Sequence, residues 1–246
     1  MILYPKAQKQ AQEEIDRVVG QDRLPNMDDE MNLPFVRGCV KESLRWMPTN
    51  ILGVPHAVTR NDEYMGYNIP KGAGIINNVW SIHMDPKRYP DPYKFDPSRY
   101  INDHQTAGEA SKNPDPSKRD HFVFGAGRRI CQGMHIAERS LFLGMSRMLW
   151  AFEFVPAKDE NGVEIMPDQS KLKQGLFVMP EEFRATIKPR SEARARRIRD
   201  DWKNCEVLLD DKMQWKKVPE GMVFSSTYNT AKEVADDEVL APTPKH

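Results

Sequence analysis

The sequence has no excess of charge of either sign. Its 246 residues include 36 Lys or Arg and 36 Asp or Glu, so the formal net charge is zero. Proteins that bind nucleic acids or other polyanions neutralise phosphates with a basic excess. The charge balance therefore argues against a general nucleic-acid binder, and we expect no nucleic-acid partner.

A long hydrophobic run and paired cysteines are also lacking. The opening stretch MILYPKAQKQAQEEIDRVVG has neither the apolar core of a signal peptide nor the ~20 apolar residues that a membrane span needs. Cys39, Cys131 and Cys205 are odd in number and far apart, which disfavours a disulfide framework and favours a reducing compartment. As written, the sequence predicts a chain without a membrane anchor, located in the cytosol.

Two amphipathic helices are predicted in the first fifty residues. Pro5 suits a first turn, an apolar stripe follows at helical spacing, and Gly20 is placed to end the first helix. The second helix is predicted to begin near Asn32, a good N-cap, with Pro34 in its first turn, and to end near Met47.

The middle of the chain predicts short strands and a long connection. VPHAVTR is strand-like, NDEYMGYNIP has the composition of a hairpin around Gly66, and VWSIHM suggests a brief helix. Residues 85–120 are rich in proline and show no sustained periodicity. They predict a coiled connection that includes a mobile surface loop over residues 102–117.

The remainder predicts a long helix, short strands and a charged extension. Residues 134–152 are the longest apolar-rich helical stretch, and residues 153–189 suggest short strands. From Ser191 the chain changes to the charged segment SEARARRIRDDWKN and ends in a polar tail. We expect residues 1–190 and 191–246 to be separate parts. A solvated helix is the commoner explanation of the charged segment, and a protein-interaction role is the alternative.

The stretch HFVFGAGRRICQG, residues 121–133, carries the clearest chemical signal. Gly125 and Gly127 suggest a phosphate loop, but a dinucleotide fingerprint needs a third glycine where Ile130 stands, and no Lys-Ser or Lys-Thr pair follows. A cysteine nucleophile is a second interpretation, because Cys131 precedes a predicted helix whose N-terminus favours a thiolate. Only His135 is near in sequence as a base.

A thiolate bound to haem iron accounts for more of this stretch. Such a ligand must stay deprotonated and receive N–H donors, which the N-terminus of the following helix supplies. Gly127 and Gly133 allow the backbone to pass close to a flat macrocycle, and Arg129 suits a propionate carboxylate. The ordinary alternative for a lone cysteine is a buried small hydrophobic residue, and no second cysteine lies at zinc-site spacing.

FGAGRRICQG resembles in full the F-x-x-G-x-R-x-C-x-G signature of cytochrome P450 monooxygenases. The resemblance implies that Phe124 packs beside the sulfur, that Arg129 meets a haem propionate, and that Cys131 is the axial thiolate ligand of iron protoporphyrin IX. Gly127 and Gly133 then line the same cofactor site.

Two further stretches resemble the same family. In KESLRWMP, Glu42 and Arg45 share one helix face at i, i+3 and resemble the E-x-x-R motif, and FDPSRY supplies Arg99 to complete a Glu-Arg-Arg triad. The resemblance implies a structural role for the triad. His56, ten residues before the hairpin glycine Gly66, stands where the family has a basic residue that meets a propionate; an ordinary strand histidine is the alternative.

The resemblance covers residues 1–190 and implies a fold that is mainly α with small β-sheets, the C-terminal part of the P450 fold truncated at its N-terminus. The long distal helix, with its acid–threonine pair for proton delivery, is then missing. Only the segments Leu52–Val58 and Gly175–Met179 would face a substrate.

The function implied is monooxygenation, in which one oxygen atom of O2 enters a small hydrophobic organic substrate. Electrons would come from NADPH through a P450 reductase, and family members usually reside on the endoplasmic reticulum membrane facing the cytosol. The stretch GYNIPKG most resembles fungal members of secondary metabolism. The alternative is an inactive truncated fragment that binds haem weakly or not at all.

Overall fold

The computed structural model describes residues 1–173, 175 and 177–217. The chain divides into two compact units, Met1–Arg197 and Ile198–His246. The described residues contain six α-helices: α1 (Pro5–Val18), α2 (Pro34–Trp46), α3 (Val79–His83), α4 (Ala107–Ser111), α5 (Met134–Ala151) and α6 (Glu192–Glu206). They also contain nine short strands: β1 (His56–Ala57), β2 (Asp62–Tyr64), β3 (Tyr67–Ile69), β4 (Gly74–Ile75), β5 (Phe152–Lys158), β6 (Glu164–Ile165), β7 (Leu172–Lys173), β8 (Met179–Pro180) and β9 (Ala185–Pro189).

The core of the first unit lies where α1, α2 and α5 pack together. Ile15 of α1, Val36 of α2, and Phe142 and Trp150 of α5 are each at most 1% exposed. Burying side chains of this size stabilises a fold by about 1.5–3 kcal/mol each. The packing of these three helices therefore forms the buried core of the first unit.

The start of α2 differs from the sequence prediction. Asn32 is not the cap, because it ends a 3₁₀ helix, Met27–Asn32, and the residue before α2 makes no side-chain cap. The carboxylate of Glu14 in α1 instead accepts hydrogen bonds from the N–H groups of Phe35 and Val36, at 3.1 and 3.0 Å. A carboxylate at a helix N-terminus satisfies free donors and complements the helix dipole, so a distant residue replaced the local cap.

The predicted coil over residues 85–120 is also wrong in part, because it contains α4. Thr106 and Glu109 form a capping box at its start, and Ala107 is buried. Both carboxylate oxygens of Glu138 in α5 accept the N–H of Ala107, at 2.9 and 3.1 Å. A helix of five residues is too short to show periodicity, although its T-x-x-E capping signal was readable.

The strands form four small antiparallel sheets, in the orders β1–β4, β2–β3, β6–β5–β9 and β7–β8. The predicted hairpin is confirmed: β2 and β3 pair across Met65 and Gly66, which have φ of 53° and 81°. Left-handed backbone at both central residues matches the right-handed twist of the strands. The predicted brief helix and the long helix are present as α3 and α5.

The second unit is described as far as residue 217. It contains the end of α6 and a turn closed by a bridge between Leu209 and Trp215, in which the Asp210 carboxylate accepts the N–H groups of Lys212 and Gln214. The predicted polar tail from residue 218 onward lies outside the described residues. Within the described part of the chain, no helix combines the length and the apolar character that a membrane crossing requires.

Candidate cofactor site

Residues 121–133, the cysteine loop, fold back on themselves just before α5. The carbonyl of Phe122 accepts the N–H of Gly125 at 2.9 Å, and the carbonyl of Phe124 accepts the N–H of Cys131 at 2.9 Å. This second hydrogen bond holds the backbone of Cys131 beside Phe124. The side chain of Cys131 is exposed, and α5 begins three residues later at Met134. The loop presents one thiol near the free N–H groups of a helix N-terminus.

The glycines of the loop leave its outer face open. Gly125 and Gly127 have φ of 81° and 70°, a region that suits glycine. A β-carbon built on either one would meet no atom within 4 Å. At Gly133 the same β-carbon would lie 3.8 Å from the sulfur of Cys131. The loop therefore has room for a flat group over its backbone, and a side chain at these positions would enter that room.

Two arginine side chains of the cysteine loop are exposed near Cys131 in the sequence. Arg128 and Arg129 are exposed, and neither makes a hydrogen bond or ion pair within the described part of the chain. An exposed sulfur, an open backbone face and free guanidinium groups fit a flat cofactor with carboxylates at its edge. The residues of the loop thus match the chemistry of a haem.

The other two cysteines are placed differently. Cys39 is fully buried in α2, and burial raises the pKa of its thiol to about 12. Cys205 is exposed but lies in the second unit. Cys131 is the exposed cysteine of the first unit.

His56 lies apart from the cysteine loop. It is exposed in β1 and pairs in register with Ile75 of β4. In the described residues, no hydrogen bond or ion pair joins His56 to the cysteine loop. The loop itself contains all the other predicted cofactor residues: Phe124, Gly127, Arg129, Cys131 and Gly133.

The predicted triad residues meet behind the loop. Nε and Nη2 of Arg45 donate to the two carboxylate oxygens of Glu42, both at 2.7 Å, and both side chains are fully buried. The remaining N–H groups of Arg45 bond to the carbonyls of His83, Pro92 and Lys94. All five guanidinium donors are therefore satisfied, as a buried charge requires.

Arg99 is the weaker member of the group. Its Nε lies 3.4 Å from Glu42, close enough for attraction, yet that buried Nε makes no hydrogen bond among the described residues. Its Nη2 donates instead to the carbonyl of Asp91 at 3.0 Å. The position of Arg99 is set by a backbone carbonyl more than by the carboxylate.

Sequence reasoning missed a set of side chains that hold the entrance to the cysteine loop. Nε2 of His83 accepts the N–H of Phe122 at 2.8 Å. Arg88 and Tyr89 donate to the carbonyls of Arg119 and Asp120. No periodicity marks these residues, because their partners lie more than 30 positions away; only the histidine at the end of a predicted brief helix was a visible signal.

A buried polar cluster lies under the same entrance. Nζ of Lys41, 3% exposed, contacts Asp103 at 2.7 Å and Asp120 at 3.3 Å. His121 is buried against the ring of Phe124, and neither ring nitrogen has a hydrogen-bond partner among the described residues. Burial lowers the pKa of His121, which disfavours the charged form of the imidazole beneath the loop.

An apolar pocket of about 250 Å³ lies where the segment after α2 meets the β7–β8 hairpin. Its lining includes Met47, Ile51, Trp80 and Met179. The N–H of Val178 donates to the carbonyl of Thr49 at 2.7 Å, which joins the two segments. The pocket includes Val178 and Met179 of the second segment that the sequence predicts to face a substrate, and it ends at Ile51, one residue before the first. Leu176 of the second segment lies outside the described residues.

Comparison with known proteins places the chain in one family. The family model described as Cytochrome P450 matches residues 1–186. Cytochrome P450 monooxygenase virE of Hypocrea virens is 60% identical over 97% of this chain and 42% of its own length. Cytochrome P450 monooxygenase fsoB of Humicola fuscoatra is 54% identical over 92% of this chain, again 42% of its own length. This chain thus spans about 42% of the length of these curated relatives.

Solved structures agree with the sequence matches. A structure of a zebra fish cytochrome P450 with abiraterone superimposes with a TM-score of 0.65 at 30% identity. The match covers 78% of this chain and 41% of the zebra fish chain. A second structure of a zebra fish cytochrome P450, with progesterone, matches with a TM-score of 0.64.

Proposed function

Because the chain belongs to the cytochrome P450 family, we propose that it serves haem-thiolate monooxygenation, with Cys131 as the axial ligand. The observation that carries the proposal is the cysteine loop. It holds one exposed thiol by a backbone hydrogen bond to Phe124, beneath an open glycine-lined face and before the N-terminus of α5.

Each predicted cofactor residue has a distinct proposed task. Cys131 would bind the iron as a thiolate, and the N–H groups at the start of α5 would stabilise the negative sulfur. Gly127 and Gly133 leave clearance for the macrocycle. Arg129 and His56 bind the propionate carboxylates. Bound haem would supply the chemistry of oxygen activation, while this chain would supply the thiolate ligand and the orientation of the cofactor.

The Glu42–Arg45 pair has a structural task in the proposal. The fully buried pair fixes the backbone at His83, Pro92 and Lys94 behind the loop. Arg99 adds attraction at longer range. Since none of the three side chains is exposed toward the thiol, we assign them to holding the scaffold and not to the reaction.

The proposed substrate is a small hydrophobic organic molecule, the class that the family resemblance implies. The apolar pocket of about 250 Å³ suits part of such a molecule, and none of its lining residues lies in the cysteine loop. The relatives with the highest identities quoted above are fungal monooxygenases, and we propose oxidation within fungal secondary metabolism. We place the electron supply in an NADPH-dependent reductase at the endoplasmic reticulum membrane.

Hemin titration of the purified chain tests the ligand. Wild type and Cys205→Ala are expected to give the same saturable binding with a thiolate-type Soret spectrum, whereas Cys131→Ala loses that spectrum. If Cys131→Ala keeps it, Cys131 is not the ligand.

Turnover is a separate question, tested with isotopically labelled O2, a P450 reductase and NADPH. Monooxygenation predicts one labelled oxygen atom in the product and one in water. Thiolate-bound haem without labelled product would contradict monooxygenation by this chain but not the assignment of Cys131, and the absence of bound haem would favour the inactive-fragment alternative.

A further inference from the structure

Side chains at residues 83–89 fasten the chain that leads into the cysteine loop. Arg88 and Tyr89 hold two successive carbonyls, those of residues 119 and 120. His83, fully buried at the end of α3, holds the N–H of Phe122 at 2.8 Å. Phe122 is the residue whose carbonyl then closes the first turn of the loop.

The partners of His83 define a single tautomer. Phe122 offers an N–H, so Nε2 of His83 must be the acceptor. Nδ1 faces the carbonyl oxygen of Arg45 at 3.1 Å and must therefore carry the proton. A doubly protonated ring would turn a donor toward the N–H of Phe122. The site accordingly requires a neutral imidazole.

These bonds form a continuous path from the buried ion pair to the thiol. Arg45, fixed by Glu42, accepts a hydrogen bond from His83 through its main-chain carbonyl and donates to the His83 carbonyl through its guanidinium, at 3.2 Å. His83 holds Phe122, and the turn from Phe122 leads to Phe124. The carbonyl of Phe124 then accepts the N–H of Cys131.

We propose that His83 is a positioning residue of the cysteine site, which ties the buried Glu42–Arg45 pair to Phe122 and so sets the position of Cys131. Its effect on the haem rests on the proposed function, but its effect on the loop does not. Arg88 and Tyr89 still hold the preceding residues when His83 is changed. The loss is therefore expected to be local, with the chain still folded.

Three substitutions separate the two hydrogen bonds of the imidazole. The amide of His83→Gln reaches to the position of Nε2 and offers an acceptor to Phe122. The amide of His83→Asn reaches only to the position of Nδ1 and keeps the bond to Arg45. His83→Leu keeps neither bond. His104→Leu, at an exposed histidine, is the matched control.

Amide hydrogen exchange of the full chain, measured residue by residue without haem, is the first readout. In His83→Leu and His83→Asn we expect the amides of Phe122 and Cys131 to exchange roughly tenfold faster, as for the loss of one buried hydrogen bond. His83→Gln and His104→Leu are expected to exchange as wild type. Equal rates for Leu and Gln, or protection of Cys131 that does not follow Phe122, would overturn the proposal.

The second readout is the spectrum after hemin is added. His83→Leu and His83→Asn are expected to lose part of the thiolate-type band to other ligation states, and His83→Gln to restore it. A full band in the Leu variant would overturn the effect on the cofactor site. If wild type itself shows no thiolate band, the proposed function fails, and the exchange rates still decide whether His83 positions the loop.

Discussion

At the scale of single residues, arginines differ in whether other residues of the fold engage their guanidinium groups. Arg128 and Arg129 are adjacent, exposed and without partners in the described residues, whereas Arg45 has every donor engaged. Charge that the fold leaves unused is available to a ligand. We expect Arg129 to bind the carboxylate, because it stands at the arginine position of the signature that the loop resembles.

Arg129→Ala is expected to weaken hemin binding roughly tenfold, because it removes a charge-assisted hydrogen bond to a carboxylate. Arg128→Ala, the matched control, is expected to change it by less than about twofold, since a screened surface charge contributes little. Hemin titration by absorbance measures both. Equal losses in the two variants would show that only the net positive charge matters.

The protonation of His83 predicts how stability depends on pH. Burial, with the nearby His121 and arginine charges, lowers the pKa of His83 from 6.5 to about 3. Between pH 3 and pH 6.5 the ring is therefore neutral in the folded protein but protonated in the unfolded chain. The contribution of the neutral His83 ring to the free energy of unfolding is therefore present above about pH 6.5. It is lost as the pH falls toward 3, by about 1.4 kcal/mol per pH unit.

Urea unfolding at pH 7 and pH 5 tests this dependence. From pH 7 to pH 5, the free energy of unfolding of wild type is expected to fall by about 2 kcal/mol more than that of His83→Gln, which has no titrating ring. Lowered carboxylate pKa values, as at Asp29 and Asp96, add acid sensitivity that both proteins share. The same loss in both proteins would mean that His83 is not held neutral.

At the scale of secondary-structure elements, the start of α6 is part of the first unit. Arg194 is 3% exposed, donates to the carbonyl of Trp150 at 2.8 Å and to Asp16 at 2.7 Å, and lies over the indole ring. Arg190 binds the same carboxylate with both terminal nitrogens, at 3.0 and 2.6 Å. Burial alone would raise the pKa of Asp16, but these hydrogen bonds lower it.

Arg194→Ala is expected to lower the free energy of unfolding by about 2 kcal/mol, because a buried carbonyl and a carboxylate oxygen lose a charged donor. Arg196→Ala, on the exposed face of the same helix, is expected to change it by less than about 0.5 kcal/mol. Both substitutions affect helix propensity equally. Urea unfolding of the two variants compares them, and similar losses would show that the start of α6 contributes no specific contact.

At the scale of the whole molecule, the sequence predicted what is encoded locally. The P450 family assignment is confirmed by the family model. It was predictable because the signature residues lie within ten consecutive positions, and the hairpin at Gly66 was predictable from its turn residues. The Glu14 cap of α2 and the contact between His83 and Phe122 join residues 21 and 39 positions apart. Such contacts depend on how helices pack, which a single sequence does not reveal.

The most direct test of the central claim is the reduced carbon monoxide difference spectrum of the full chain reconstituted with hemin. The account predicts a Soret maximum at the thiolate position for wild type and Cys205→Ala, and its loss in Cys131→Ala. A maximum at the position of a neutral ligand in wild type, or a thiolate maximum that survives Cys131→Ala, would contradict the assignment of Cys131.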